Sequence, residues 1–253
     1  MYGSNGFRRG TKGPSKKANV VFGFYGELRF IELTIDNIIQ TMKGYSDQYN
    51  IFLVFNISLV ITTRFRPEGV SKRYSERLAK HSVSTNEELN RYISLIKERI
   101  PGIRIDTKIN ELNDNKYDYT QRKVNDYKFS IMRQIREIES VERISFEKVV
   151  ISRPDKLFKR LYLNSLKNDE FSTHWDFSLA FCGHVLNKLH ASDVTDLIDN
   201  AIKEFPKGRR GGNSKGDFGY ILHRGIDIVL RDQLGLKLNP GVCILQNVAS
   251  YDD

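Results

Sequence analysis

The chain has 253 residues, which suits one large domain or two small ones. Its apolar fraction of 40% argues against wholesale disorder, and its formal net charge is +9. A membrane-spanning helix needs roughly 18 to 20 consecutive apolar residues, and no run reaches that length. We therefore expect a soluble cytoplasmic protein without a transmembrane segment.

The basic charge is concentrated at the N-terminus, where residues 1–17 are predicted to form a disordered arm. Five basic residues in this arm face no acidic one, namely Arg8, Arg9, Lys12, Lys16 and Lys17. Such an arm either contacts nucleic acid or a membrane surface or simply stays solvated, and we favour the last. Residues 18–253 are predicted to form one domain. Its two cysteines, Cys182 and Cys243, lack partners at metal-ligand spacing and are expected to be buried thiols.

Hydrophobic periodicity predicts alternating strands and helices in the first 152 residues. The predicted strands are Asn19–Phe24, Ile51–Phe55, Ile103–Asp106 and Phe146–Ser152, and the predicted helices are Ile31–Met42, 70–100 and 118–139. Strands that alternate with helices indicate βαβ units. The sequence therefore predicts an α/β fold with a mostly parallel central sheet flanked by helices.

The second half of the chain is less regular. Its predicted elements are a strand at Ser178–Cys182, a helix at Val194–Phe205, a basic Gly-rich loop at 207–216, a helix from Asp217 to about Asp232, and a strand at Val242–Gln246. In a parallel sheet, ligands bind beyond the carboxyl ends of the strands. Two such ends, one after the first strand and one after the fourth, have polar motifs.

The fourth strand is followed by Arg153-Pro154-Asp155. Pro154 fixes its own φ and favours an extended Arg153, so the chain leaves the strand in a defined direction. A guanidinium binds phosphate, and a carboxylate can hold a divalent ion that itself binds phosphate oxygens. The segment therefore predicts a diphosphate site. The alternative is a local turn closed by an Arg–Asp ion pair.

The first strand leads into Gly26-Glu27-Leu28-Arg29. Gly26 would let the backbone approach a ligand closely, and Arg29 would add a positive charge. The alternative is a glycine in a turn followed by an arginine at a helix start. Because the repeated glycines of a dinucleotide-binding fingerprint are missing, the motif is not of that type.

Taken in order, these motifs resemble bacterial and large-virus glycosyltransferases that have a GT-A-like nucleotide-sugar domain. The resemblance spans roughly residues 19–185 and consists of Gly26-x-x-Arg29, a helix and strand ending at Phe55, Arg153-x-Asp155, and Asp176 ahead of a strand and Gly183. In that family Arg-x-Asp stands where other GT-A enzymes have Asp-x-Asp. The resemblance implies a GT-A-like, Rossmann-like single domain.

The resemblance also implies a function and a set of ligands. The donor would be a UDP- or GDP-sugar bound at the two motifs, with Asp155 near a divalent metal (Mn²⁺ or Mg²⁺) or the ribose-diphosphate. The acceptor would be a hydroxyl of a glycan or glycoprotein, so the activity would belong to glycan biosynthesis. A virus-encoded enzyme of this type would act in the host cytoplasm.

Two carboxylates are candidates for the general base that deprotonates the acceptor hydroxyl. Asp217 opens a late helix after the Gly-rich loop, the position of an acceptor-side carboxylate in GT-A enzymes. It suits the N-cap of that helix equally well. Asp176 is the second candidate.

Three further residues are candidates for binding roles. His223 lies six residues into the late helix and is a candidate metal ligand, although a lone helix histidine is more often structural. Trp175, beside His174, would stack on an acceptor sugar or anchor a loop. Arg209, in the Gly-rich loop, would close over the diphosphate or remain a solvated charge.

The leading hypothesis is therefore a glycosyltransferase, with two alternatives. A nucleic-acid-binding protein would use the basic arm. A nucleotidyltransferase would share the diphosphate and the metal but attack phosphorus instead of a sugar carbon.

Overall fold

A computed structural model describes residues 17–59, 76, 80–110, 120–174, 178–204 and 224–247. The predicted arm therefore lies outside the described residues except for Lys17. Within the described ranges, none of the helices combines the length and the apolar character that a membrane span requires.

The strands and helices alternate as far as β4 and become irregular beyond it. The strands are β1 (Ala18–Glu27), β2 (Tyr49–Ser58), β3 (Arg104–Ile109), β4 (Phe146–Ser152), β5 (Lys156–Leu161), β6 (Glu170–His174), β7 (Ser178–Cys182), β8 (Lys237–Leu238) and β9 (Cys243–Asn247). The α-helices are α1 (Ile31–Lys43), α2 (Asn86–Arg99), α3 (Thr120–Glu142) and α4 (Ala191–Glu204). Residues 224–228 are also helical and continue into a π-helical turn at Val229–Gln233.

Seven of the described strands form one sheet in the order β3-β2-β1-β4-β7-β6-β8. Neighbouring strands are parallel except on the two sides of β7, which is antiparallel to both β4 and β6. The predicted α/β architecture with a mostly parallel central sheet is thus confirmed, and it is compatible with a Rossmann-like fold. Strands β5 and β9 pair separately as a small antiparallel sheet.

The direction in which the sheet grows reverses between β1 and β4. From β1 the chain adds β2 and then β3 on one side, and β4 then joins the opposite edge of β1. In open α/β sheets, such a reversal opens a crevice at the carboxyl ends of the two central strands. The crevice between β1 and β4 is the place where the fold itself favours a ligand.

Helices cover both faces of the sheet. Because β1 is buried on both sides, its residues form a continuous apolar run. Its alternate side chains enter two cores, with Phe22 and Phe24 in one and Val21 and Tyr25 in the other. The first core is completed by α1, α2 and the β5–β9 sheet, and the second by α3, α4 and the helix at 224–233.

Two predictions about element boundaries were wrong. Residues 76, 80 and 81 are helical, as predicted, but the helix predicted over 70–100 is not continuous, because a separate helix begins at Asn86. Thr85 caps this second helix: its Oγ1 accepts from the backbone N–H of Glu88, and the Glu88 carboxylate accepts from the backbone N–H of Thr85. The predicted helix at Val194–Phe205 already starts at Ala191. Strands β5 and β6 lie in a stretch where the sequence pattern predicts no strand.

Both cysteines are buried free thiols, as predicted. Burial raises the pKa of Cys243 to about 11, so this thiol stays protonated at neutral pH. The Cys182 sulfur lies 3.2 Å from Nζ of the buried Lys148.

We predict that Gly183→Ala strongly destabilises the fold. A Cβ on Gly183 would overlap the carbonyl oxygen of Phe146, which is backbone and cannot move aside. The loss should reach about 3 kcal/mol or more in urea unfolding. Gly44→Ala is the matched control, because its new Cβ would meet only ordinary contacts, the nearest at 3.4 Å, and its φ of −58° suits any residue. Equal stability of the two variants would contradict the overlap.

Candidate functional site

Four neighbouring strands are in register at the carboxyl edge of β1 and β4. Phe24 of β1 pairs with Ser152 of β4, Ser152 pairs with Ser178 of β7, and Ser178 pairs with His174 of β6. The two polar motifs predicted from the sequence both lie just beyond this row. The parallel pairing of β1 with β4 is therefore what brings two segments distant in sequence to the same crevice.

The end of β1 is a bent segment between two residues with positive φ. Gly26 has φ of +91°, a conformation that L side chains rarely adopt. Apart from its two chain neighbours, none of the described residues has an atom within 4 Å of the position of a Cβ there. Phe30, a buried residue, has φ of +53°. A bulky non-glycine residue in this region is held there by its surroundings, so the bend is imposed by the tertiary structure.

Backbone hydrogen bonds fix this bend on both sides. The N–H of Leu28 donates to the carbonyl of Ser58 at the end of β2 at 3.0 Å, and the N–H of Val83 donates to the carbonyl of Leu28 at 3.0 Å. An isolated bridge also pairs Arg29 with Ser82. The residues just before α2 thus hold the end of β1 in place.

Arg29 and Glu27 form an ion pair within the bend. Arg29 Nε lies 3.3 Å from Glu27 Oε2, and the two side chains are only 16% and 6% exposed. Among the described residues, Arg29 Nε has no hydrogen-bond acceptor despite being buried. The anion nearest to this N–H is the Glu27 carboxylate itself, whose Oε2 also lacks an aligned hydrogen-bond partner among the described residues. The pair is therefore a close charge contact without a well-formed hydrogen bond.

The turn after β4 is closed by a bidentate ion pair between Arg153 and Asp155. Arg153 Nε donates to Asp155 Oδ1 at 3.0 Å, and Nη2 donates to Oδ2 at 2.5 Å. Lys156 Nζ lies 3.8 Å from Oδ1. The ion-paired turn, which the sequence left open as an alternative, is therefore the observed geometry.

The charges around Asp155 join the two motifs into one cluster. Burial by itself raises the pKa of Asp155, but Arg153, Lys156 and Arg29 together outweigh it, so the pKa lies below its ordinary value of 3.8. The carboxylate is ionised at neutral pH. The cations that favour its charged form come from both strand ends, Arg29 from the segment after β1 and Arg153 and Lys156 from the segment after β4.

Helix α1 holds the Arg153–Asp155 turn through hydrogen bonds to its backbone. The hydroxyl of the fully buried Thr34 donates to the carbonyl of Pro154 at 2.7 Å. One turn later, the Asn37 amide donates to the carbonyl of Phe158 at 3.1 Å and accepts from its N–H at 2.7 Å. The turn is thus fixed to a helix whose other side chains fill the core.

A second charged group lies on the α3 side of the sheet. Burial raises the pKa of Asp227, while Lys128, Arg224 and Thr173 favour its charged form. Arg224 Nη1 contacts Asp227 Oδ2 at 2.7 Å. The buried Lys128 also lies 5.9 Å above the ring of Tyr25, near the end of β1.

His174 links the two charged groups. Burial lowers its pKa, and the positive charges of Lys156 and Arg224 lower it further, so the imidazole is neutral at physiological pH. Its Nδ1 is buried without a hydrogen-bond partner in the described part of the chain. The histidine therefore adds a polar atom but no charge to the edge of the site.

Five of the predicted site residues fall outside the described residues, so their roles stay predictions. They are Trp175, Asp176, Arg209, Asp217 and His223. The first two fall between His174 and Ser178, which pair with each other at the carboxyl edge. The structure brings together Gly26, Arg29, Arg153 and Asp155.

Several other charged residues of the site were not predicted from the sequence. Glu27 and Lys156 directly adjoin the two motifs, so adjacency was an available signal. Lys128 follows the inner apolar stripe of α3, four residues after Val124, where a buried lysine is detectable by helical spacing. Asp227 had no signal of its own, because its burial depends on packing against β6.

The described residues do not fit a divalent metal at Asp155. Both carboxylate oxygens already accept hydrogen bonds from Arg153, and further cations stand beside them. Within the described ranges, no group of three or more His, Cys, Asp or Glu side chains is placed to hold a metal ion.

Comparison with known proteins adds no relative. No protein-family model matches the chain, and no curated protein matches it. The functional argument therefore depends on the residues and their geometry.

We predict that Thr34→Val loosens the turn after β4. Valine keeps the shape of the side chain but removes the donor to the Pro154 carbonyl, which should cost about 1–2 kcal/mol of unfolding free energy. Thr41→Val is the control, because the Thr41 hydroxyl bonds only within α1, to the Asn37 carbonyl. Equal losses in urea unfolding would show that the contact with Pro154 contributes nothing of its own.

We predict that Asp155 makes the fold sensitive to acid. A depressed pKa means that the ionised form stabilises the folded state above the ordinary value of 3.8, and that this stability is lost as the pH falls through the lower folded pKa. Asp155→Asn should therefore be less stable than the wild type at pH 7 and lose less stability between about pH 4 and pH 2. Asp36→Asn, at a site where the side chain is 74% exposed, should leave the acid profile unchanged.

Proposed function

We propose that the chain is a glycosyltransferase that binds a nucleoside diphosphate sugar at the carboxyl edge of β1 and β4. The observation that supports this most is the parallel pairing of β1 with β4 at the reversal of strand order, which puts Arg29 close enough to Asp155 for its charge to lower the pKa of that carboxylate. The resemblance of these motifs to those of GT-A-like glycosyltransferases selects a sugar nucleotide among diphosphate ligands. The open space beside Gly26 leaves room for the ligand near the backbone.

Glycosyl transfer requires positive charge beside the diphosphate, which is the leaving group. When the bond from the anomeric carbon to the diphosphate oxygen breaks, the electron pair stays on the diphosphate. Arg29 and Arg153 are placed to stabilise that charge through guanidinium–phosphate hydrogen bonds. Because both arginines are held before the ligand arrives, little reorganisation is needed during the reaction.

The acceptor side of the proposal involves residues outside the described ranges. An acceptor hydroxyl attacks the anomeric carbon, and its proton passes to a carboxylate, with Asp217 and Asp176 as the candidates. Trp175 would pack on the acceptor sugar, and Arg209 would close over the diphosphate. A divalent ion would supply additional charge stabilisation in this chemistry, but the described residues around Asp155 do not fit one.

The two alternative functions receive less support. Nucleic-acid binding depends on the arm, of which only Lys17 is described, and its Nζ donates to the carbonyl of Ser46 on the domain itself. A nucleotidyltransferase would also use the cations at this edge, so the reaction products must separate it from a glycosyltransferase.

The decisive test is product analysis by mass spectrometry. The protein is incubated with UDP-, GDP-, dTDP- and CMP-sugars and, separately, with nucleoside triphosphates. We expect release of the nucleoside diphosphate from at least one UDP-, GDP- or dTDP-sugar, with free sugar or a glycosylated acceptor as the second product. The CMP-sugar, which has a single phosphate and would release CMP, is the control and should not be consumed. Release of pyrophosphate from a triphosphate, with no sugar nucleotide consumed, would instead identify a nucleotidyltransferase.

We predict that Arg29→Gln lowers turnover of the sugar nucleotide at least about tenfold, because a charge-assisted hydrogen bond to the diphosphate is lost. Arg99→Gln is the control, since Arg99 pairs with Asp36 on the surface and its side chain is 43% exposed. Thermal unfolding of both variants checks that they fold. Unchanged turnover in a folded Arg29→Gln protein would contradict the proposed site.

A further inference from the structure

We propose that two copies of this chain associate through the outer edge of β3, so that their sheets join into one continuous sheet. Strand β3 (Arg104–Ile109) is the outermost strand on its side, and within the described ranges no strand pairs with its outer edge. The outermost strand on the other side, β8, has only two residues. An edge of six residues is long enough to act as a template for another strand. The inference does not depend on the proposed function.

The backbone groups that point outward from β3 belong to alternate residues. The N–H of Asn110, directly after the strand, donates to the carbonyl of Ile57 in β2 at 2.7 Å, so residue 110 directs its backbone groups toward β2. Successive residues of a strand alternate in this direction. Ile105, Thr107 and Ile109 therefore direct their N–H and C=O groups to the outer edge.

The strand is self-complementary when it pairs with its own copy in antiparallel orientation. A two-fold axis at Thr107 brings Thr107 opposite Thr107, Ile105 opposite Ile109, and Asp106 opposite Lys108. The residues of the first two pairs are those that exchange backbone hydrogen bonds, about six in all. The third pair occurs on both sides of the axis and puts a carboxylate beside an ammonium. Opposite charges and threonines that face each other across two strands stabilise a sheet.

The charges of β3 favour this register over its neighbours. An axis at Asp106 would bring the two Asp106 carboxylates face to face and would put Arg104 opposite Lys108, and both contacts are repulsive. An axis at Ile105 would put Arg104 opposite Asp106 but would shorten the paired segment to residues 103–107. The axis at Thr107 pairs opposite charges and uses the whole strand.

The side chains on the two faces of this edge suit the same pairing. On one face, Ile109 is 43% exposed and lines a groove beside α2 together with Ile105. On the other face, Asp106 Oδ2 accepts from Nε2 of Gln134 in α3 at 2.6 Å, which orients the carboxylate. Lys108 is exposed. In the dimer, the isoleucines of the two copies cover each other, and Lys108 of each copy reaches the oriented carboxylate of the other.

Sedimentation velocity of the full chain measures the association. We expect a species of about twice the 29.3 kDa of one chain at concentrations up to about 100 μM, the range in which a short strand edge associates. A monomer over this whole range would overturn the inference.

Charge reversal tests the register. Asp106→Lys and Lys108→Asp each place like charges opposite each other at two positions, so each should weaken the dimer at least about tenfold. The double variant restores both pairs of opposite charge and should recover most of the dimer. Lys188→Asp, at an exposed position outside the edge, is the control and should leave the dimer unchanged. Single variants that dimerise normally, or a double variant that stays monomeric, would contradict the inference.

A cysteine on the two-fold axis gives a test that leaves the charges in place. Thr107→Cys would bring two Cα atoms to about 5.5 Å, a distance that a disulfide spans. Oxidation by diamide should link two copies, as seen on a non-reducing gel, while the native cysteines are buried. Thr195→Cys, at an exposed position of α4, is the control and should stay unlinked.

Thermal unfolding establishes that each variant is folded before these measurements. Should a charge variant fail to fold, the cross-link at position 107 still decides the question, because its absence in a folded Thr107→Cys protein would refute the pairing.

Discussion

The buried ion pair between Arg153 and Asp155 constrains everything around the crevice. Removing two charges from water is costly, and a buried pair persists only where geometry and further partners compensate for that cost. Here the compensation comes from a bidentate contact, from Lys156 at the start of β5 and from the charge of Arg29 in the bend after β1. The pair therefore fixes where the chain goes after β4 and requires the end of β1 to lie beside it.

The sheet meets that requirement through one pairing. Because β1 and β4 are parallel neighbours, their carboxyl ends leave the sheet together, and the reversal of strand order opens a crevice between them. Helix α1 then holds the turn after β4 through Thr34 and Asn37. On this helix Thr34, which holds the turn, is next to Ile35, which packs in the core. The stability of the fold is therefore coupled to the geometry of the crevice.

In the proposed function, this group of charges binds an anion. Among the described residues, Arg29 pairs with Glu27, Arg153 and Lys156 lie beside Asp155, and a neutral His174 borders the group. Glycosyl transfer from a nucleoside diphosphate needs this distribution of charge, because negative charge builds on the leaving diphosphate.

The sequence by itself determined the α/β class, the four strands up to Ser152 and the two motifs at strand ends. Apolar runs and helical spacing are local signals, and a strand buried on both faces shows them wherever it pairs. The sequence also contains the capping box of Thr85 and Glu88, which the prediction of one helix over 70–100 did not take into account. Only the tertiary structure decided that Asp155 is paired with Arg153, that Lys128 and Lys156 are buried, and that Asp227 is largely shielded from solvent. Those outcomes depend on which strands and helices become neighbours. Contacts between residues that are distant in the sequence produce no local sequence pattern, so they cannot be predicted from hydrophobic periodicity.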